Sequence, residues 1–273
     1  MKYTINYSEI SILISGNGIV INGNKKRVLE LLSRKKIISI FEKNGIILFK
    51  NFNIKSSNLI KITDQFTQIY SSDALRRKER FNEKRIRNVD FGIKDILLHS
   101  ESSFNPAWPE IIWFYCVKPP KKNGETTICD GIRLWQSLSF DTKNFFLLNP
   151  IQFKLKIPIG KNNNKSKKKW LLNTVGSGNA EIDWKKGNLN FTLNRFAVQE
   201  GRDTNQLCFA NHLFVTLKSE PQILSRTLIN GKKIPSKIIR EIKLKAKKLT
   251  YLHKWNTGDF LMIDNKRFMH GRN

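Results

Sequence analysis

The sequence predicts a mainly β chain with flanking helices, an α+β arrangement, and three observations carry that reading. Runs rich in β-branched and aromatic residues recur at Gly45 to Phe52, Ile111 to Cys116 and Asp259 to Asp264. Helical spacing of apolar residues is confined to a few stretches on either side of a strand-rich middle. No segment is apolar for long enough to span a bilayer, so the apolar runs belong to a folded core and no membrane partner is expected.

Val28, Leu29, Leu31, Leu32, Ile37, Ile38, Ile40 and Phe41 recur at mostly helical spacing, and Asn44-Gly45 supplies a stop. Gly45 to Phe52 then reads as a buried strand, and a second helix is expected from about Ser57 to Tyr70 behind a Ser-Ser-Asn start. The polar stretch Arg76 to Arg87 reads as an exposed connection. From about Ile96 strands dominate, with Pro119 to Gly124 turning the chain after Ile111 to Cys116. The basic, low-complexity run Lys161 to Lys169 reads as a surface loop. A helix over Ser236 to Leu249 places Ile238, Ile239, Ile242 and Leu249 on one side and lysines opposite. Asp259 to Asp264 is the last strand the pattern marks. There is no internal repeat and no linker, so residues 1–273 are expected to form a single domain.

Hydrophobic residues make up 40% of the chain, with 18 Phe and 6 Trp, which excludes disorder. Lys and Arg number 49 against 22 Asp and Glu, a net charge of +27. The basic residues are spread along the whole chain, including Lys25-Lys26-Arg27, and no nucleic-acid motif accompanies them. They read as solvated surface with no specific nucleic-acid partner, compatible with an anionic substrate or an acidic carrier protein. Three cysteines, Cys116, Cys129 and Cys208, form no C-x-x-C pair and read as reduced, buried thiols in a cytoplasmic protein.

His99 and Glu101 stand two apart, and His270 lies near the C-terminal end. Two imidazoles and one carboxylate hold non-haem Fe(II) on one face and leave the opposite positions open. An extended strand would throw residues i and i+2 to the same side, so His99 and Glu101 could bind one ion from undistorted backbone. His212 is expected to serve core packing or substrate contact rather than metal ligation, and His253, between Leu252 and Lys254, to be structural or exposed.

An ordered series of segments then carries a resemblance. His99-Ser100-Glu101 is followed by Asn105-Pro106-Ala107-Trp108-Pro109, Trp113 to Cys116, Pro119-Pro120 and Gly124 to Asp130. Phe209-Ala210-Asn211-His212 comes next, and Gly258-Asp259, Asp264-Asn265 and His270-Gly271-Arg272 close the series. In order and rough spacing the chain from about residue 45 resembles the taurine dioxygenase (TauD/TfdA) family of Fe(II)- and 2-oxoglutarate-dependent oxygenases. The nearer likeness is to the clavaminate-synthase-like and SyrP-like branches, which use His-x-Glu.

The resemblance implies a double-stranded β-helix, or jelly roll, with helices outside, and Fe(II), 2-oxoglutarate and O2 as metal, cosubstrate and oxidant. It implies His99, Glu101 and His270 as catalytic metal ligands and Thr126 as a cosubstrate contact through its hydroxyl. Ser102, Ser103, Phe104 and Asn211 become candidate substrate contacts. The implied reaction is hydroxylation of an unactivated C–H bond in a small-molecule or carrier-tethered, amino-acid-like biosynthetic intermediate. The related halogenases lack a carboxylate at the position of Glu101, so hydroxylation or another oxidative outcome is expected over halogenation. A catabolic dioxygenase acting on a small sulfonate or carboxylate, and an inactive homologue or basic binding protein retaining the fold, are the alternatives.

One family feature has no match. An arginine shortly beyond the distal histidine, on the next strand, clamps the far carboxylate of 2-oxoglutarate in the family, and the sequence given stops at Asn273. Arg272 matches the family's His-Gly-Arg and not that clamp. The expectation is a C-terminal truncation that removes the last core strand, with weak 2-oxoglutarate binding as its consequence, or a substitute cation such as Arg195.

Overall fold

A computed structural model describes residues 10–14, 17–25, 28–71, 77–89, 92, 94–106, 108–159, 180–183, 186–202, 205–218 and 222–273. Two sheets face each other at its centre. The first has the order β1 (Ile10–Ile14), β2 (Asn17–Asn22), β3 (Ile46–Lys50), β16 (Phe260–Asp264), β7 (Ile111–Tyr115). The second has the order β15 (Tyr251–His253), β8 (Thr126–Asp130), β17 (Phe268–Arg272), β6 (Ile96–His99). Ile46, Leu48, Leu261 and Ile263 of the first sheet pack on Ile128 and Phe268 of the second, so the space between the sheets is the inner core. Two facing sheets with helices outside agree with the double-stranded β-helix that the resemblance implied.

Each sheet is covered on its outer side. The first carries α1 (Arg34–Asn44) and α2 (Leu59–Thr63), with Ile37, Phe41, Leu59 and Ile62 packed on Ile47, Phe49 and Met262. Cys129 and Met269 of the second sheet pack with residues of α3 (Gly131–Ser137), α4 (Phe140–Leu148) and α5 (Ser236–Leu249). The same core takes in a further sheet ordered β10 (Ala180–Asp183), β11 (Asn188–Arg195), β9 (Ile151–Pro158), β14 (Ile223–Leu228).

Several element boundaries differ from the expectations. The first helix begins at Arg34, because the Ser33 hydroxyl caps Lys36 N–H and the chain before it forms only a short 3-10 turn at Leu29–Leu31. It ends where expected, with Gly45 left-handed at φ 70°. The second helix is only Leu59–Thr63, shorter than the apolar spacing suggested. Within the Arg76 to Arg87 stretch, read as an exposed connection, β4 (Glu79–Arg80) and β5 (Glu83–Arg87) form a hairpin closed by Phe81 and Asn82, both at positive φ. The Ser236–Leu249 helix agrees with its expected bounds, Ile242 and Ala246 being fully buried. A strand after Asp264 was not marked by pattern, yet β17 is central to its sheet. Lys26, Arg27, Arg76, Ala107 and the Lys161 to Lys169 stretch lie outside the described residues.

Two devices fix β17 where the site needs it. Arg267, in the turn between β16 and β17, donates from Nη2 to Asp130 Oδ2 at 2.7 Å and from Nε to Asp130 Oδ1 at 3.2 Å, a buried bidentate pair. Asp130 Oδ1 also caps α3 by accepting from Ile132 N–H at 2.9 Å, so one carboxylate joins β8, α3 and the turn before β17. Along β17, Phe268 pairs with Asp130 and His270 with Ile128 on one side, while His270 pairs with His99 on the other.

Candidate metal centre

His99 closes β6, and His270 sits directly opposite it on β17. Paired residues of antiparallel strands point to the same face, so this register alone turns two imidazoles toward each other. Their ring centroids lie 4.5 Å apart. Glu101 arrives differently from the expectation: it lies in a turn after β6, not on the strand. Strand geometry stops at His99 because Ser100 N–H bonds the Asn211 carbonyl at 2.9 Å and Ser102 takes φ 52°.

Asn265 holds that turn. Its Oδ1 accepts from Glu101 N–H at 2.7 Å, and its Nδ2 donates to the Glu101 carbonyl at 2.9 Å and to the Pro109 carbonyl at 2.8 Å. The Ser100 hydroxyl donates to the Asn265 carbonyl and accepts from Trp108 Nε1 at 2.8 Å. Sequence reading placed Asn265 in a framing motif without a role; its complete burial beside a turn 164 residues away supplies one.

The three side chains converge. Glu101 Oε2 is 3.5 Å from His99 Nε2 and 3.7 Å from His270 Nε2, and one ligand atom from each residue lies within 4.8 Å of the others. His99 Nδ1 donates to the Leu97 carbonyl at 2.8 Å, which leaves the Nε2 lone pair turned toward Glu101. The spacings are too long for hydrogen bonds. His270 Nδ1 is buried with no hydrogen-bond partner. Two neutral imidazole nitrogens and a carboxylate oxygen around one point fit a divalent cation by donor type and by convergence. Among the described residues no other cluster of His, Cys, Asp and Glu has this property.

Electrostatics agree with that use. Burial opposes ionisation of Glu101, but His270, His99 and Arg77 outweigh it and hold its carboxyl well below the usual range. Burial, then the neighbouring His99, pushes His270 down to about 4 against the opposing pull of Glu101. His270 therefore stands ready as a neutral ligand near pH 7, beside an ionised carboxylate. Arg77 Nη2 lies 4.0 Å from Glu101 Oε1, on the side away from the histidines.

Thr126 opens β8 on the face that His270 shares, and its Oγ1 accepts from Trp255 Nε1 at 2.9 Å. Its hydroxyl hydrogen is thereby left to donate. Ser102, Ser103 and Phe104 follow Glu101 through a buried turn, and the Ser103 hydroxyl has no hydrogen-bond partner. Phe104 packs edge-on against His212 at 4.8 Å, and His212 in turn lies 5.1 Å from His99. Asn211 is committed to its own loop, donating to the Ala197 carbonyl and accepting from Leu213 N–H. Arg195 lies over the Trp108 ring at 4.9 Å and donates to the Asn105 carbonyl.

A jelly roll presenting two histidines and a glutamate on one face defines a mononuclear non-haem metal oxygenase. The family described as taurine catabolism dioxygenase TauD, TfdA family matches residues 20–273, and the chain belongs to it. It is an Fe(II)- and 2-oxoglutarate-dependent dioxygenase by family. It is 24% identical over 270 residues to the dapdiamide synthesis protein DdaC of Enterobacter agglomerans, covering 89% of this chain and 82% of that one. It is likewise 24% identical over 188 residues to the 3-((Z)-2-isocyanoethenyl)-1H-indole synthase of Fischerella ambigua (strain UTEX 1903), covering 68% of this chain and 60% of the other. Among solved structures, PvcB of Pseudomonas aeruginosa superposes with a TM-score of 0.61 at 12% identity, over 100% of this chain and 88% of PvcB.

Proposed function

We propose that this protein hydroxylates an unactivated C–H bond of a small, amino-acid-like biosynthetic intermediate, free or carrier-tethered, with His99, Glu101 and His270 as the iron ligands and Thr126 as a cosubstrate contact. The convergence of the three ligand side chains carries the reading. Similarity to DdaC, a synthesis protein, favours a biosynthetic substrate over a catabolic sulfonate. When bound, Fe(II) with 2-oxoglutarate and O2 supplies the oxidising power, the oxo acid leaving as succinate and carbon dioxide.

The protein's part is positioning. His99, Glu101 and His270 would hold the ion from one side and leave its other positions for small molecules. Asn265 and Ser100 fix the turn so that Glu101 Oε2 faces the imidazoles. The Thr126 hydroxyl donates to a cosubstrate carboxylate. Ser102, Ser103 and Phe104 line the approach for substrate, and Asn211 shapes that loop from behind. Glu101 would take the position at the iron that the related halogenases leave open for chloride, which favours hydroxylation over halogenation. Residues 1–273 act as one catalytic domain in the cytoplasm, in keeping with three free, buried cysteines.

The test is substrate-dependent succinate release under Fe(II), 2-oxoglutarate and O2 with a panel of amino acids, their carrier thioesters and small sulfonates. Release with an amino-acid-like substrate supports the reading, and release only with a sulfonate replaces it. His99→Ala, Glu101→Ala and His270→Ala are each expected to lose metal binding and turnover. The likeness to the isocyanoethenyl-indole synthase favours one second outcome, removal of two hydrogens to leave a C=C bond. Product mass separates the two, a gain of one oxygen against a loss of two hydrogens.

For a carrier-tethered substrate, the exposed basic face of α5 is the proposed docking element. Lys237, Arg240, Lys243 and Lys247 lie exposed on α5. Binding of an acidic carrier that weakens with salt is expected; absent or salt-independent binding would count against the carrier.

A further inference from the structure

His253 is the least explained buried polar residue of the fold. It is 2% exposed, and neither ring nitrogen has a hydrogen-bond partner. Buried polar atoms are nearly always partnered, so an imidazole with both nitrogens unbonded calls for a ligand or a role.

Its position says which. In β15, His253 lies directly opposite Thr126 and Tyr251 opposite Ile128; across β8, Ile128 lies opposite His270. Directly paired residues share a face, so His253, Thr126 and His270 all point into the space between the sheets that Ile128 and Phe268 line. Thr126 is one side-chain step along β8 from the level of His270, about 7 Å. A five-carbon 2-oxo diacid held at the proposed metal would carry its second carboxylate away from the ion, toward the level of Thr126.

The neighbours suit an anion. Lys50 ends β3 on the same face as Ile46 and Leu48, which belong to this inner core, and its charge acts on the His253 ring. Asp259 Oδ2 stands 3.8 Å from His253 Nε2, too far for a hydrogen bond, and it already accepts from Asn256 N–H at 2.9 Å. Burial holds the His253 pKa below its ordinary value, with the Lys50 charge adding to that and the Asp259 charge opposing it, so the ring stands as a neutral imidazole with one N–H to donate. Trp255 crosses the His253 ring edge-on at 4.4 Å and spends its N–H on Thr126, leaving the hydroxyl and the imidazole aimed at common space.

We propose that His253 is a hydrogen-bond donor to the far carboxylate of 2-oxoglutarate, acting with Thr126 and with Lys50 as a nearby cation. The inference rests on the reading that His99, Glu101 and His270 hold the iron that chelates the oxo acid. Three groups on three strands then distinguish a diacid from a monoacid.

The experiment compares 2-oxoglutarate with 2-oxopentanoate, which keeps the chelating end and has a methyl group in place of the far carboxylate. Dissociation constants are measured anaerobically with Fe(II) from the visible absorption of the chelate. The wild-type chain should prefer the diacid. His253→Phe should weaken 2-oxoglutarate by about tenfold or more and leave 2-oxopentanoate unchanged. His253→Asn, which keeps a donor, should recover part of the loss, and Lys50→Met should weaken the diacid alone and to a lesser degree. Retained 2-oxopentanoate binding certifies that the variants are folded. Unchanged 2-oxoglutarate affinity in His253→Phe overturns the inference and spares the iron reading. Equal loss of both acids marks a structural role and also overturns it. A wild-type chain that binds neither acid removes both readings together.

Discussion

The Glu101 carboxylate reaches the imidazoles because a single buried amide, that of Asn265, bonds its backbone on both sides. Asn265→Ala leaves one N–H and two carbonyls of this turn without their partner, a cost of roughly 1–3 kcal/mol for each group left buried and unsatisfied. We expect lower stability in urea melts and a 10–100-fold weaker metal affinity, on the order seen when residues that orient metal ligands are removed. Unchanged metal affinity would mean that Glu101 finds its place without the amide. Acid should act on the same group of residues. His270 is held down to about 4 by burial, below the ordinary histidine value of 6.5. Its contribution is therefore present in full above pH 6.5 and is lost as pH falls through about 4, since the unfolded chain binds more protons in that window. Glu101, also depressed, contributes in the same sense, its share lost as pH falls below 4.5. Melting temperatures of chelator-treated protein should drop from pH 7 to pH 4, and a flat profile would refute this.

At the level of strands and helices, two glycines explain why neighbouring elements come so close. A Cβ at Gly271 would run into the Ile96 carbonyl and lie 2.7 Å from Thr127 Oγ1, between the strands flanking β17. A Cβ at Gly131 would lie 2.6 Å from the Arg267 carbonyl and 2.8 Å from that of Phe209. Gly271→Ala, adjacent to His270, should push β6 from β17 and separate His99 from His270. The expected cost is about 1–3 kcal/mol or more, with metal affinity falling alongside. Circular dichroism melts and metal titration on the same sample check both effects. Wild-type metal binding in Gly271→Ala would show that the pairing of His99 with His270 tolerates the extra atom.

For the whole molecule, a metal bound at the proposed site would act as a staple between segments far apart in sequence. Its proposed ligands come from β6, the turn after it and β17, 171 residues apart at the extremes (270 − 99). A ligand that binds only the folded state adds about 2.7 kcal/mol at a hundredfold excess over its Kd. Anaerobic Fe(II) should therefore raise the melting temperature, and His270→Ala should abolish the rise while leaving the metal-free fold largely intact. The net charge of +27 is a separate property of the surface. It governs encounter with anions and acidic partners more than fold stability. No helix among the described residues is long and apolar enough to cross a membrane.

The strands of the inner core were legible because their residues are nearly all apolar: Ile46, Ile47, Leu48 and Phe49, then Phe260 to Ile263. The α5 helix was legible for the same reason, through a periodic apolar face. Residue type together with the family resemblance of the ordered segments singled out His99, Glu101 and His270 as candidate ligands, and the fold brings their ligand atoms within 4.8 Å of one another. Other features depended on contacts between distant segments. The β4–β5 hairpin is polar and partly exposed, so no apolar period marks it. The strand β17 is interrupted by a glycine that only its crowded neighbours require. Glu101 sits in a turn fixed by Asn265, and His253 meets Thr126 across a register that joins residues 127 apart (253 − 126). A linear chain displays the chemistry of its side chains and their local period. Which of them share a face, and which buried atoms are left without a partner, is decided only when the sheets close.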